Sequence, residues 1–260
     1  LKLIFIFNIM LVITNWNGRL GNNIMQIIRA IHYAKINFHS EINFPNTKYL
    51  RTNKLYINIE KANAIIIRND FFYLNKLGLE DPCPEQMKKY FIEFVKPMLI
   101  VNAIETLNNT LHIHIRSGDT FSNNPHGKYL PPPLIYYKTI IESQDWDDIK
   151  VIFEDNINPC VVALKNLNYK NVEFISDSLQ KDLSILGSSK NLVIGPGTFG
   201  LLAYFLSEEL ESLYIPRYVF NEMPKGEWGV KLNIVELPNY IKCGEWRNTA
   251  EQRKILVNYK

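Results

Sequence analysis

Cysteine is scarce in this sequence. Only three cysteines occur in 260 residues, Cys83, Cys160 and Cys243. Their number is odd, they lie far apart, and no C-x-x-C pair is present, so neither a disulfide framework nor a thiolate zinc site is indicated. This pattern favours a reducing compartment, and we expect a cytoplasmic location.

A large excess of charge of either sign is also lacking. Lysine and arginine total 29 against 26 aspartate and glutamate, which leaves a net charge of +3. Any basic surface must therefore be local, and a general nucleic-acid-binding role is disfavoured. Hydrophobic residues make up 47% and charged residues 21%, an ordinary globular composition that excludes disorder, collagen and coiled coil as the main architecture.

The apolar stretch at the start, LKLIFIFNIMLVIT over residues 1–14, is short for a membrane span. A signal peptide or a membrane anchor is one interpretation of it. Asn8 interrupts the stretch, its length falls short of the roughly 20 residues that a span needs, and no small-residue cleavage site follows. We therefore favour a buried strand and predict no certain membrane anchor. A Golgi or endoplasmic reticulum lumen stays open if an anchor precedes this sequence.

The commonest catalytic signatures are missing as well. No Walker A sequence, H-E-x-x-H pair or G-x-S-x-G elbow occurs, which removes the commonest phosphotransfer, zinc-protease and serine-hydrolase hypotheses. What is present is an alternation of short apolar runs with helical stretches. This alternation predicts parallel βαβ units and an α/β fold class.

The predicted elements are more regular in the second half of the chain. In the first half we expect a strand at 10–14, a helix at 22–36, several short strands within 41–72 and a helix at 84–98. In the second half we expect five strands, at 111–116, 150–153, 172–175, 191–194 and 212–215, with four intervening helices. Such a doubly wound domain binds its ligand at the carboxyl ends of its strands. The turns after Arg116, Phe153 and Ile194 therefore matter most.

A glycine-rich turn follows the fourth of these strands. Gly195, Gly197 and Gly200 have G-x-G-x-x-G spacing between a strand and a helix. Glycines let the backbone approach a diphosphate, and the N–H groups at the helix start, with the Thr198 hydroxyl, would hold its oxygens. A turn needed only for tight packing is the alternative. As a dinucleotide fingerprint the pattern is incomplete, because Pro196 lies inside the turn and no ribose-binding acid follows.

The segment HIHIRSGD, residues 112–119, carries a cation where its predicted strand ends. A period of two puts His112, His114 and Arg116 on one face of the strand, with Arg116 at its carboxyl end. A guanidinium suits a diphosphate because it stays charged and can donate two parallel hydrogen bonds. Zinc binding by the two histidines with His126 is a less favoured alternative, and we expect His114 to be a hydrogen-bonded orienting residue. Asp119 is expected to hold Arg116 or His114, or to cap the loop.

A second loop with two glycines follows the first predicted strand and opens the first long helix. Gly18 and Gly21 allow a close backbone approach, Arg19 supplies a cation, and Asn22 supplies a neutral donor and acceptor. A solvated surface arginine is the alternative interpretation of Arg19.

Acidic residues are candidates at several turns. Asp145–Asp148 has the D-x-D spacing of metal-dependent glycosyl transferases, but it lies at the edge of the sheet opposite the predicted crevice, so we predict no metal site. Glu154 and Asp155 are better placed to face ribose hydroxyls or an acceptor. Asp177 and Asp182, at the next turn, are also predicted to bind the donor.

Three stretches match the motifs of one known family in order and spacing. GRLGNNIMQ at 18–26 is close to G-R-L-G-N-Q-M-F-Q, and HIRSGD at 114–119 is close to H-x-R-R-x-D. DLSILGSSKNLVIGPGTFGLLAYFL, from residue 182, is similar to D-x-x-x-M-x-x-C-x-x-x-I-x-x-N-S-T-F-S-W-W-A. The chain thus resembles the fucosyltransferase superfamily, which includes α-1,2-, α-1,6- and protein O-fucosyltransferases.

The resemblance implies a GT-B-like α/β architecture, with two facing Rossmann-like lobes that contain parallel sheets. We expect an acceptor-side lobe over residues 1–105, a nucleotide-sugar-binding lobe over 106–240, and a tail over 241–260 that packs back on the N-terminal lobe. The resemblance also implies inverting, metal-independent transfer of a sugar, typically from GDP-fucose, to a glycan hydroxyl. The expected partners are a nucleotide sugar and a glycan acceptor, with no nucleic acid and no separate cofactor.

Residue roles carry over from the same resemblance. Arg116 would hold the β-phosphate of the donor and neutralise the leaving diphosphate. Thr198 and Phe199, in the place of the family's S-T-F, would bind phosphate and shape the nucleotide pocket. Arg19 and Asn22 would border the cleft.

Two departures from the family pattern leave alternatives open. Ser117 replaces the second arginine of H-x-R-R-x-D, and residues 195–199 read G-P-G-T-F. The donor is therefore a GDP-sugar or another sugar nucleotide such as UDP-xylose, and the general base is Asp119 or His126. A nucleotide-sugar-binding module without catalysis and a dinucleotide oxidoreductase are the alternatives from other functional classes.

Overall fold

The computed structural model describes residues 9–37, 41–57, 65–101, 104 and 109–260, which form two units. The first comprises the chain up to Ile100 together with Pro224–Glu227, and the second comprises Val101–Met223 together with Trp228–Lys260. Each unit contains a sheet with parallel strands, so the predicted α/β class is confirmed. No helix among the described residues is long and apolar enough to cross a membrane. Residues 1–8 of the apolar N-terminal stretch lie outside the described residues.

The first unit contains a four-stranded sheet. Its strands are β1 (Ile9–Ile13), β2 (Glu41–Asn43), β3 (Lys54–Tyr56) and β4 (Ile65–Asn69). Their order is β3-β2-β1-β4, and all pairs are parallel except β2 with β3. Helix α1 (Leu20–Ile36) connects β1 to β2 and buries isoleucines at helical spacing along one face.

The helix predicted at 84–98 changes its winding along its length. It begins as α2 (Pro84–Tyr90), widens into a π-helical turn at Phe91–Val95 and ends as a 3-10 turn at Lys96–Met98. Pro97 lies in the last turn, where its missing N–H and its ring prevent an α-helical continuation.

The second unit contains a six-stranded parallel sheet. Its strands are β5 (Thr110–Ile115), β6 (Asp148–Phe153), β7 (Val172–Ile175), β8 (Asn191–Val193), β9 (Ser212–Pro216) and β10 (Lys231–Val235). Their order is β10-β9-β8-β5-β6-β7, and every neighbouring pair is parallel. Numbered within the unit, this is the 3-2-1-4-5-6 order of dinucleotide-binding sheets.

Six α-helices accompany these strands in the described part of the second unit. They are α3 (Leu134–Ile141), α4 (Pro159–Asn166), α5 (Leu179–Gly187), α6 (Thr198–Leu206), α7 (Arg217–Phe220) and α8 (Ala250–Asn258). The five predicted strands and four predicted helices are present with small shifts of their ends. No strand was predicted at β10, an edge strand whose residues are exposed or only partly buried.

The C-terminal segment packs within the second unit. Trp246 is fully buried with its ring 5.6 Å from that of Phe121, and its indole N–H donates to the Thr120 carbonyl at 2.8 Å. Leu256 in α8 is fully buried in the same core, beside Cys160 of α4. These contacts correct the expectation that residues 241–260 would pack back on the N-terminal lobe, because the apolar side chains of the segment fill the core of their own unit.

Candidate functional site

The candidate site lies at the carboxyl edge of the second sheet, where β5 and β8 are neighbours. The chain order of the sheet reverses between these two strands. At such a reversal the connections run on opposite faces, which leaves a crevice outside the strand ends. Residues 116–121 leave β5 at this point and residues 194–197 leave β8, so two of the predicted turns meet here.

Arg116 is held by three side chains. Its Nε donates to Oγ1 of Thr120 at 2.9 Å, and its Nη2 donates to the two carboxylate oxygens of Asp119 at 3.1 and 3.0 Å. The ring of Tyr129 lies against the guanidinium, with Cζ 4.2 Å from the ring centroid. Of the roles considered for Asp119, it holds Arg116. The guanidinium is therefore oriented before any ligand binds, which lowers the entropic cost of binding one.

The fourth neighbour of Arg116 is Gly197, the residue before α6. Its φ is +102°, in the region that favours glycine. A Cβ added there would overlap Nη1 of Arg116 and lie 3.2 Å from Cζ. Among the described residues, Nη1 donates to no protein acceptor. A cation and the positive end of a helix dipole thus lie side by side, the arrangement that attracts a phosphate group.

The other two glycines of this turn have packing roles. A Cβ at Gly200 would lie 2.9 Å from Cβ of Ile194, and a Cβ at Gly195 would lie 3.3 Å from the ring of Pro132. The packing interpretation of the G-x-G-x-x-G spacing therefore applies to these two glycines, and phosphate binding by the turn stays a prediction. Gly195 and Gly200 permit tight packing, and Gly197 permits the close approach of a cation.

The two histidines of β5 are buried. Burial lowers the pKa of each to about 3, with further lowering by Lys150 for His112 and by Arg116 for His114. Both rings are therefore neutral near pH 7. The His114 ring packs against Phe199 of α6, with centroids 4.9 Å apart. Its buried Nδ1 has no hydrogen-bond partner in the described chain. The hydrogen bond that we expected to orient His114 is therefore missing at Nδ1, and the packing of the ring against Phe199 positions this residue.

The zinc alternative gains no support from the structure. Among the described residues, no group of three or more histidines, cysteines, aspartates or glutamates could hold a metal ion. His126 lies in the loop after β5, and its Nδ1 accepts the backbone N–H of Lys128 at 3.3 Å. Its exposed ring lies 4.9 Å from the ring of Tyr129, the same ring that contacts Arg116.

The loop after β6 supports the loop after β5. The Ser117 hydroxyl donates to Oδ1 of Asp155, which also accepts the N–H of Ile157 at 2.8 Å. The fully buried Asn158 donates from Nδ2 to the carbonyl of Arg116 at 2.9 Å. Ser117 and Asp155 thus bind each other. Asn158 and Tyr129 were not singled out in the sequence, and only their position beside predicted strand ends could have drawn attention to them.

The remaining predicted acidic residues lie further along the same edge of the sheet. Glu154 is exposed, and its Cδ would lie 2.9 Å from a Cβ added at Gly118. Asp177 is exposed and pairs with Lys181 at 2.7 Å. Asp182 is buried, and its carboxylate accepts the N–H of Asp177 at 3.3 Å. Asp177 and Asp182 hold the turn after β7, the edge strand, so the structure does not bring them to Arg116.

Asp182 has a pH-dependent effect on stability. Burial raises the pKa of its carboxyl from 3.8 to about 6. The folded state therefore binds the proton more tightly than the unfolded state, and this contribution is present below about pH 4 and lost as the pH rises to about 6. We expect Asp182→Asn, which is neutral at every pH, to be more stable than the wild type at pH 7 by about 1 kcal/mol after allowance for screening. Chemical denaturation at pH 4 and pH 7 measures this difference, and an equal difference at both pH values would contradict it.

The predicted loop of the first unit lies at the carboxyl end of β1. Gly18 has a φ of +82°, and a Cβ there would overlap the side-chain amide of Asn22. Arg19 is exposed and directly precedes α1, while Gly21 is buried in its first turn. The glycine at 18 is thus required both by its backbone conformation and by the position of Asn22.

Gln26 holds this loop to the end of β4. It is fully buried. Its Oε1 accepts the N–H of Asn17 at 2.9 Å, and its Nε2 donates to the carbonyls of Asn15 at 3.0 Å and Asp70 at 2.6 Å. In the sequence, Gln26 is the last residue of the GRLGNNIMQ motif and was not a predicted site residue. A polar residue on the apolar face of a helix was the signal for its structural role.

Comparison with known proteins shows a distant likeness to solved structures. No protein-family model matches this sequence, and no curated protein matches it. Among solved structures the chain is similar to POFUT1 in complex with GDP, with 12% sequence identity, 78% of this chain and 96% of that chain covered, and a TM-score of 0.40. A likeness of this size supports no inference about activity, so a function for this chain must rest on its own residues.

Proposed function

We propose that this chain is a glycosyltransferase that moves fucose from GDP-fucose to a glycan hydroxyl, with inversion and without a metal ion. The observation that carries the proposal is the position of the Arg116 guanidinium against Gly197, at the start of α6. Both features are positive, and both lie at the sheet reversal where such folds bind their ligands.

A pyrophosphate satisfies this arrangement. The Nη1 side of Arg116 would bind one phosphate oxygen, and the first N–H groups of α6 would bind others. A hydrogen bond to a charged group contributes about 1.5–3 kcal/mol and a helix start about 0.3–1 kcal/mol. Because these groups are already oriented, they stabilise the charge that develops on the leaving diphosphate. They supply the positive charge that a divalent cation supplies in other transferases.

The proposed step is a single displacement. The acceptor oxygen attacks the anomeric carbon, the bond from that carbon to the diphosphate oxygen breaks, and both its electrons leave with GDP. The hydroxyl proton passes to a base on the side opposite the diphosphate. Asp119 is bonded to Arg116 and therefore lies on the leaving-group side, so we assign it the positioning of Arg116. We assign the base to His126, which the ring of Tyr129 separates from Arg116.

Nucleotide binding tests the donor. We expect GDP and GDP-fucose to raise the melting temperature, with the shift retained in EDTA, and UDP, CMP and their conjugates to have smaller effects. A ligand at a hundredfold excess over its Kd adds about 2.7 kcal/mol to the free energy of unfolding. A larger increase of the melting temperature with a UDP-sugar than with GDP-fucose would identify the UDP-sugar as the donor instead. A shift with NAD or NADP alone would favour an oxidoreductase.

Turnover separates an enzyme from a binding module. GDP-fucose incubated with a panel of glycans should release GDP and yield a fucosylated product of inverted anomeric configuration. GDP binding without product on any glycan would instead favour a module that has kept the nucleotide-sugar site and lost catalysis.

A further inference from the structure

We infer that a cavity beside His126 binds an acceptor that carries a carboxylate, such as a saccharide ending in a uronic acid. This inference rests on the proposed function and names its acceptor class. The cavity has a volume of about 550 Å³, which suits a small saccharide. Its lining residues are Asn124, Pro125, His126, Gly127, Lys128, Gly244 and Arg247.

The lining of the cavity is positively charged. It includes one lysine and one arginine and no aspartate or glutamate. Lys128 is paired with Glu222 at 2.7 Å, so much of its charge is already neutralised. Arg247 forms no ion pair in the part of the chain that the structure describes, whereas Arg116 has Asp119. The electrostatic preference for an anion therefore comes mainly from Arg247.

The wall of the cavity that carries Arg247 is formed by two closely packed chain segments. The N–H of Gly244 donates to the carbonyl of Gly127 at 3.0 Å. A Cβ at Gly127 would overlap the Gly244 carbonyl and lie 2.6 Å from Nη1 of Arg247. Gly244 itself has a φ of +98°. Two chain segments thus approach more closely than any larger residue would allow.

The guanidinium of Arg247 is fixed, with one edge open to a ligand. Its Nη1 donates to the carbonyls of Gly244 at 2.8 Å and Trp246 at 2.7 Å, and Trp246 is fully buried. Within the described residues, Nε and Nη2 donate to no protein acceptor. These two atoms form one edge of the guanidinium, and their parallel N–H groups match the two oxygens of a carboxylate.

The cavity also adjoins the proposed donor site. His126 lines it, and the ring of His126 contacts Tyr129, which in turn contacts Arg116. A saccharide anchored by its carboxylate on Arg247 would present its hydroxyl groups to the imidazole of His126. The anchoring group and the proposed base therefore line one cavity, and Arg116 lies beyond Tyr129.

Calorimetric titration without nucleotide tests the inference. The probes are a disaccharide that ends in glucuronic acid and its counterpart that ends in glucose. We expect the acidic disaccharide to bind at least about tenfold more tightly, because charged hydrogen bonds to Arg247 are lost with the neutral one. Arg247→Gln should abolish this preference, and Arg247→Lys should retain part of it, since the charge remains without the fork. Lys254→Gln removes a charge from an exposed position of α8 and should leave the preference intact.

Each other outcome counts against the inference. Equal binding of the two disaccharides overturns it, as does displacement of the acidic disaccharide by an equal concentration of sulfate or phosphate, which would indicate a general anion site. If Arg247→Gln does not fold, a lysine variant with the full wild-type preference overturns it. GDP is titrated separately into the wild-type protein. Absence of GDP binding contradicts the proposed function alone. GDP binding without a preference for the acidic disaccharide contradicts this inference alone.

Discussion

Arg116→Ala is expected to weaken donor binding and turnover by at least about a hundredfold. The substitution removes the guanidinium that Thr120, Asp119 and Tyr129 orient against Gly197. It also leaves the Asp119 carboxylate beside the proposed diphosphate, so that repulsion replaces attraction. Removal of one preoriented donor from a developing anion costs about 2.7–4 kcal/mol, or about 10²–10³ in rate. We expect GDP affinity and GDP release from GDP-fucose both to fall by at least about a hundredfold, as measured by calorimetry and a coupled assay.

Two further variants separate the effect of the paired guanidinium donors from the effect of the positive charge. Arg116→Lys keeps the charge but loses the paired donors and the planar contact with Tyr129, so we expect an intermediate loss of roughly tenfold. Lys254→Gln changes the net charge by the same amount as Arg116→Ala and should bind GDP as the wild type does. An alanine variant at 116 with wild-type GDP affinity would remove the phosphate assignment and the proposed function with it.

The placement of Arg116 and of the glycine turn at one edge of the sheet was predictable, because it follows from short-range patterns and one topological rule. Alternation places Arg116 at the end of β5, and glycine spacing places Gly197 between β8 and α6. In a sheet of parallel strands all carboxyl ends share one edge. The sequence does not state which strands are neighbours. Only the observed order, with β5 beside β8, makes these two turns adjacent.

Other parts of the site depend on long-range contacts that no local pattern encodes. Tyr129 lies in an irregular loop, and its ring contacts Arg116 only because that loop folds back over the strand end. Asn158 follows β6 and donates to the backbone carbonyl of Arg116, which follows the neighbouring strand β5. Trp246 lies more than a hundred residues from the Thr120 carbonyl that it binds. For the same reason the C-terminal segment was predicted to pack on the other unit. Apolar residues in a sequence indicate that a segment packs, but they do not indicate the surface on which it packs.

The hydrogen-bond partners of polar residues at the strand ends also depend on the fold and do not follow from residue type. Asp155 was expected to face ribose hydroxyls or an acceptor, yet its carboxylate accepts a hydrogen bond from the hydroxyl of Ser117. This hydrogen bond occupies the hydroxyl hydrogen of Ser117 and one carboxylate oxygen of Asp155, the groups that could otherwise have bound a ligand. Polar residue types at a strand end therefore predict that the edge is polar, and the pairing among them decides which groups remain for a ligand.

Gly197→Ala is expected to separate the two halves of the site while the fold survives. Alanine at a φ of +102° is strained by about 1–2 kcal/mol. Its Cβ would also overlap Nη1 of Arg116, so the guanidinium must leave its place or the start of α6 must shift. Either movement breaks the convergence on the proposed diphosphate. We expect a loss of about 2–4 kcal/mol in the free energy of unfolding and at least about a tenfold loss of GDP affinity, measured by denaturation and calorimetry.

A matched glycine isolates the contact from the strain. Gly78 has a φ of +73°, and among the described residues no heavy atom lies within 4 Å of a Cβ added there. Gly78→Ala should therefore cost only the backbone strain and leave GDP affinity unchanged. Combining Gly197→Ala with Arg116→Ala makes the sharper test, because the shortened side chain leaves room for the new Cβ. Destabilisation in the double variant should be smaller than the sum of the single effects. Strict additivity would mean that the guanidinium does not occupy that space.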